Sequence, residues 1–204
     1  MASARLALIP WFASPLVLRF RSAVELTDDQ FYYFCLQNPD LRMERTANGE
    51  VIIMSPVGTG SGGRELEVAG QLFVWARRDG TGTAFGSSTG FTLPNGAVLS
   101  PDASWVSKAR LAKLTAEQYE KFAPLCPEFV AEIPSPSDTL SDVQAKMREY
   151  IDNGAQLGWL IDPDSRRVYV YRPNQPVEEL DDLRTVSGDA VLPGFVLELA
   201  PLWP

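Results

Sequence analysis

The chain contains no histidine, and that absence removes whole classes of chemistry. A Ser-His-Asp or Cys-His hydrolase needs an imidazole as base, and a histidine-ligated zinc enzyme needs one as donor, so both are excluded. Cysteine is almost as scarce. Cys35 and Cys126 stand far apart in apolar surroundings, and read as reduced core thiols of an intracellular protein rather than as a disulfide. Long apolar runs are missing too: a membrane span needs about 20 such residues. The apolar N-terminal MASARLALIPWFAS is short, broken by Pro10 and a poor signal peptide. Residues 1–14 are therefore expected to form a loose N-terminal extension before one domain over 15–204, in a cytoplasmic protein with no membrane partner. Basic residues are outnumbered, 18 Lys and Arg against 26 Asp and Glu, for a net charge of −8. That argues against nonspecific coating of nucleic acid, which requires clustered cations. No G-x-x-x-x-G-K-[ST] occurs, so a nucleotide-phosphate loop is not expected.

What remains is chemistry by carboxylate, lysine and backbone. Hard cations such as Mg²⁺ take oxygen ligands and need only one or two protein carboxylates, so metal catalysis without histidine stays open.

The pattern of elements is mixed. Leu16 to Phe20 reads as an edge strand. Thr27-Asp-Asp-Gln30 is a capping box that starts a helix ending near Asn38-Pro39, with its aromatics in the core. Two apolar runs, 41–45 and 50–54, flank Asn48-Gly49 and predict a β-hairpin carrying Glu44 on its first strand. Residues 55–63, rich in Gly, Ser and Pro, predict a loop. From Arg64 to Arg78, Leu66, Ala69, Leu72, Phe73 and Ala76 recur at helical spacing and predict an amphipathic helix on a sheet. Glu65 and Glu67 then fall in its first turns, where the helix dipole favours negative charge. The other reading places one of them near a metal.

Short strands follow at 84–86 and 90–93, then a strand from Ser100 to Val106 with Pro101 at its beginning. Thr115-Ala-Glu-Gln118 repeats the capping box. Residues 128–134 predict an interior strand, followed by a proline-rich loop. The next helix, capped by Ser137 or Ser141, presents Leu140, Val143, Met147, Tyr150 and Ile151 and stops at Gly154. A strand at 157–161, a turn at 162–165, a strand at 167–171 and edge strands toward Leu199 complete an α/β domain, a central mixed sheet with helices against its faces.

Asp102 begins one predicted strand and Glu132 lies near the end of another. If those strands adjoin, the carboxylates converge, and two such groups cannot both stay charged without a cation nearby. Glu132 sits among Phe129, Val130 and Ile133, where a charge needs a partner. Lys146 follows Asp142 by four residues, so a surface ion pair is one reading. The other is an active-site lysine that polarises water and stabilises charge on a phosphate.

Several stretches together resemble a known family: Leu26-Thr-Asp-Asp-Gln-Phe, the run Arg45 to Pro56, Ser100-Pro-Asp-Ala-Ser-Trp-Val106, Glu132 to Asp138, Lys146 to Gly154 and Trp159-Leu-Ile-Asp-Pro163. In order and spacing the chain is similar to the Uma-two restriction-endonuclease-like family, also called domain of unknown function 820, over residues 16–203. The resemblance implies the restriction-endonuclease-like fold of the PD-(D/E)XK nuclease superfamily. It further implies Mg²⁺-dependent cleavage of nucleic-acid phosphodiesters, with Mn²⁺ as a substitute. DNA is the expected partner, and a homodimer is expected by analogy. It makes Pro101-Asp102 the PD and Glu132 the second acid, these two being the metal ligands. The lysine expected two positions after that acid is here Pro134, and Lys146 on the following helix takes its place. Glu44 matches a further family acid, before the glycine turn, and is a candidate for a further ligand. The histidine that many members carry at the start of the first long helix is missing. The alternative expectation is a nuclease-fold module that binds nucleic acid or protein with little or no catalysis.

Overall fold

The computed structural model describes residues 16–19 and 26–203. The expectation for residues 1–14, and Phe20 of the first strand, lie outside these residues.

The capping box at Thr27 forms as expected. Thr27 Oγ1 accepts from Gln30 N (3.2 Å) and the Gln30 side chain accepts from Thr27 N (2.9 Å), starting helix α1 (Asp28–Gln37) after an edge strand β1 (Leu16–Leu18). Of its apolar residues only Phe31 is fully buried; Tyr33 and Leu36 face outward. The Asn48-Gly49 pair turns β2 (Arg42–Arg45) into β3 (Val51–Met54), Gly49 supplying the positive φ of 78° that a tight hairpin turn requires. Helix α2 (Thr59–Asp79) follows.

Here the structure corrects two expectations. The helix begins five residues before Arg64, so the loop is only 55–58, and Glu65 and Glu67 sit beyond its first turn. The glycines at 60, 62 and 63 are tolerated in helix because packing further along the element fixes it; propensity is a weak prior. The buried stripe is Val68, Leu72 and Ala76, while Leu66 and Phe73 are exposed. Ala69 and Trp75, partly buried, pack beside this stripe against the same core.

Next come β4 (Gly82–Gly86), β5 (Phe91–Thr92), β6 (Val98–Leu99) and β7 (Ala103–Ser107), then two short helices, α3 (Lys108–Leu111) and α4 (Ala116–Glu120), the latter with the second capping box. Strand β8 (Phe129–Glu132) leads to helix α5 (Leu140–Asp152). Its N-cap is Thr139, which accepts from Asp142 N, not Ser137 or Ser141; Ser141 instead shares a hydrogen bond with Thr139. Leu140 is correspondingly exposed rather than part of the apolar face. Strands β9 (Leu157–Asp162), β10 (Arg167–Tyr171), β11 (Glu178–Asp181), β12 (Thr185–Ser187) and β13 (Val196–Glu198) complete the chain.

The expected central mixed sheet is six-stranded, in the order β11-β10-β9-β8-β7-β4, with β8 and β9 parallel and the other neighbours antiparallel. Helix α2 covers one face, packing Val68, Leu72 and Ala76 on Ala103, Trp105, Phe129 and Trp159. Helix α5 covers the other, packing Val143, Met147 and Tyr150 with Val130 and Leu160. Gly158 lies on that face, where a Cβ would come within 2.5 Å of the Met147 methyl and displace the end of that side chain. A second sheet, β1-β3-β2-β6-β5, holds the hairpin. Among the described residues no helix is long and apolar enough to cross a membrane.

Both cysteines are free. Burial pushes the Cys126 thiol up to about 12 and the half-buried Cys35 thiol up to about 11. Both stay protonated at neutral pH, and the thiolate is the nucleophile. Cys126 should therefore resist iodoacetamide at pH 8 in the folded protein and react promptly in denaturant, as peptide mass mapping would read.

Candidate active site

Strand parity decides which side chains meet. Along β8, Phe129 and Ala131 point to α2, which leaves Val130 and Glu132 on the α5 face. β7 runs antiparallel beside β8 with Ala103 opposite Ala131. One step further in that register Asp102 stands opposite Glu132, so the two strands do adjoin and bring the two acids together. Glu44 comes from the other sheet, where it is buried. The chain crosses from β6 into β7 through Ser100-Pro101-Asp102, and Glu44 Oε1 accepts the Ser100 N–H at 2.7 Å, tying the two sheets together at the site.

Lys146 reaches this group from α5. Its Nζ lies 2.9 Å from Glu132 Oε1 and 3.0 Å from Glu44 Oε1, so its partners are these two acids and not Asp142. Tyr150, one turn further on, donates its hydroxyl to the same Glu132 oxygen at 3.0 Å. Asp102 Oδ2 accepts the Ile133 N–H at 2.8 Å. Asp102 and Glu132 are only 9% and 6% exposed. They line a cleft of about 590 Å³ together with Glu44 and Lys146.

The charges in this cluster do not balance: three carboxylates meet one ammonium. Burial raises Asp102 well above the ordinary carboxylate range, and the facing Glu132 adds to that, while the Ile133 N–H and Lys146 work the other way. Glu132 is raised mainly by burial, opposed by Lys146 and reinforced by Glu44. Burial works against the Lys146 ammonium, but Glu132 and Glu44 outweigh it and hold the lysine protonated far above its usual range. Tyr150 is raised by burial and by the Glu132 charge, so it remains a donor. Such a cluster has room for a further positive charge.

Among the described residues no three Asp, Glu, Cys or His side chains gather into a ready cage for an ion. The donor set nonetheless fits a hard cation. Among the described residues each of the three acids keeps one oxygen without a hydrogen bond, Asp102 Oδ1, Glu132 Oε2 and Glu44 Oε2, while Glu44 Oε1 is taken by Ser100 and Lys146. Two carboxylates, with water completing the shell, is the pattern Mg²⁺ uses; a caged Ca²⁺ or Zn²⁺ site needs more.

All four residues singled out in the sequence, Asp102, Glu132, Lys146 and Glu44, thus come together in one cleft. Tyr150 was read only as core. Its signal was present, since it lies at i+4 from Lys146 and carries a hydroxyl that needs a partner when buried. Glu65, one of the two acids offered as lying near a metal, lines the same cleft and contributes to raising Asp102.

A family model described as "Putative restriction endonuclease" matches residues 28–200. The chain belongs to this family, Uma2. The Uma2 protein is also similar to a solved structure titled a "putative nuclease belonging to DUF820", from Anabaena variabilis ATCC 29413, with 24% identity and a TM-score of 0.70. The alignment covers 87% of this chain and 97% of that one, so the two share their fold across almost the whole of the described structure. A search of curated proteins found no match. This Uma2 protein thus shares its fold with that structure, and its family is the one described as "Putative restriction endonuclease".

Proposed function

We propose that this Uma2 protein is a Mg²⁺-dependent endonuclease that hydrolyses phosphodiester bonds of nucleic acid, DNA in the first instance. One observation carries the reading: Asp102 and Glu132, buried and facing each other, share a cleft with a lysine that reaches them from α5. When bound by Asp102 and Glu132, Mg²⁺ would supply a Lewis acid for the phosphate and lower the pKa of a water nucleophile.

The chain's own groups then have distinct tasks. Asp102 and Glu132 hold the ion, and the Ile133 N–H fixes the orientation of the Asp102 carboxylate. Glu44, anchored on Ser100, positions Lys146. The Lys146 ammonium faces the cleft as a fixed positive charge, placed to orient the attacking water and to stabilise charge that develops on the phosphate oxygens. It does from a helix what a lysine two residues after Glu132 would do from the strand, where this chain has Pro134.

The competing reading is a nuclease fold that binds without cleaving, which Pro134 and the net charge of −8 favour. Calorimetric titration with Mg²⁺ and Mn²⁺ separates the two. The wild type should bind one ion, and Asp102→Asn with Glu132→Gln should abolish that binding. No binding, or binding indifferent to both substitutions, supports the module.

A further inference from the structure

The cleft is lined by an excess of acid: besides Glu44, Asp102 and Glu132 it presents Glu65, Asp138, Asp142 and Glu149. Its cations among the described lining residues are Lys146 and Arg42. Lys146 is committed to two glutamates. Arg42 is not committed: it makes no ion pair and no side-chain hydrogen bond among the described residues, and its Nε is buried without a partner.

Strand geometry aims this residue. Arg42 precedes Glu44 by two positions in β2, so both side chains leave the same face of the sheet, about 7 Å apart along the strand. Met43 and Arg45 leave the opposite face; Met43 enters the core beside Phe31, and Arg45 donates to Leu26 O at 2.8 Å and Gly96 O at 2.9 Å. The two arginines of this strand therefore differ in kind. Arg45 is consumed by structure, whereas Arg42 stands in an acid-lined cleft with its hydrogen-bonding capacity unspent. A buried donor without an acceptor carries a desolvation cost that an arriving acceptor removes. The planar guanidinium fork matches a phosphate in two-point contact.

We infer that Arg42 is the phosphate-binding residue of the cleft, gripping a phosphate that flanks the scissile one on a nucleic-acid strand. This rests on the nuclease reading and adds a substrate contact to it. Lys146, tied to its glutamates, serves the scissile phosphate, and Arg42 is left for the flanking one.

The probe is thymidine 3′,5′-bisphosphate, which offers two phosphates and no phosphodiester to cleave, titrated calorimetrically with Mg²⁺ present over a range of salt. Cleavage of a labelled single-stranded oligonucleotide by the wild type is measured in parallel. Arg42→Gln should bind the bisphosphate about 10-fold or more weaker, with a log affinity that falls less steeply with log salt than the wild type's. Arg42→Lys, which keeps charge and stem, should retain the slope and lose part of the affinity; it also serves if the glutamine variant fails to fold. Binding by Arg42→Gln with wild-type affinity and slope overturns the assignment, as does retention of full affinity in Arg42→Lys, and leaves the nuclease reading intact if the oligonucleotide is cleaved. Absence of bisphosphate binding by the wild type also overturns it, and absence of cleavage as well removes both.

Discussion

Asp102→Asn is expected to reduce metal-dependent cleavage by about 10³-fold or more while leaving the protein folded and no less stable. The loss follows from removing one of two ion-holding carboxylates. Lewis-acid stabilisation of a phosphoryl transition state is worth several kcal/mol, and about 4 kcal/mol corresponds to 10³ in rate. The stability half of the expectation comes from the buried repulsion. Asp102 faces Glu132 across adjacent strands, and burial together with that neighbour raises its pKa. The amide keeps the shape and an oxygen for the Ile133 N–H but carries no charge. The metal-free melting temperature should therefore stay level or rise. Thermal melts in EDTA beside turnover in Mg²⁺ and Mn²⁺ read both halves. Undiminished cleavage would remove Asp102 from the chemistry, and lost cleavage with a collapsed melt would make its role structural.

The second large effect belongs to Lys146→Met. Removing the ammonium leaves Glu44 and Glu132, each under a tenth exposed, without their shared cation. Breaking a buried ion pair from one side costs about 3–5 kcal/mol. The metal-free variant should lose stability of that order in urea denaturation, and Lys146→Met with Glu44→Gln should recover part of it, because the double change removes one orphaned charge. A lysine that merely paired with Asp142 on a helix surface would cost about 0.3–0.5 kcal/mol. Cleavage should fall together with stability in the single variant and stay low in the double one, since the fixed positive charge is missing from both.

Lys146 also shows how much could be read in advance. Val143, Met147 and Tyr150 were recognised as the buried face of α5, and Lys146 sits three residues after the first and four before the last, within that stripe. Spacing alone left two readings open for that lysine, a surface pair with Asp142 and an active-site charge. What periodicity could not supply was the partner, because Glu44 reaches the site from a second sheet that no local pattern places there. The meeting of Asp102 and Glu132 was conditional in the sequence on two strands adjoining; the β7–β8 register supplies the condition. Glu65 was left between a dipole-favoured first-turn acid and an acid near a metal, and its place in the helix shifted because the element runs through glycines that read as loop. Thr139 displaced two serines as the cap of α5 because capping chemistry is common to all three residues and only the path of the backbone selects among them.

The most direct test is a crystal structure of the wild type soaked in Mn²⁺, collected at a wavelength where manganese scatters anomalously. The expected result is one anomalous peak bounded by the carboxylates of Asp102 and Glu132, with Lys146 on the same side of the cleft and no peak in Asp102→Asn crystals. A cleft without a peak at millimolar Mn²⁺, or an ion held elsewhere, would contradict a metal-dependent nuclease site at these residues.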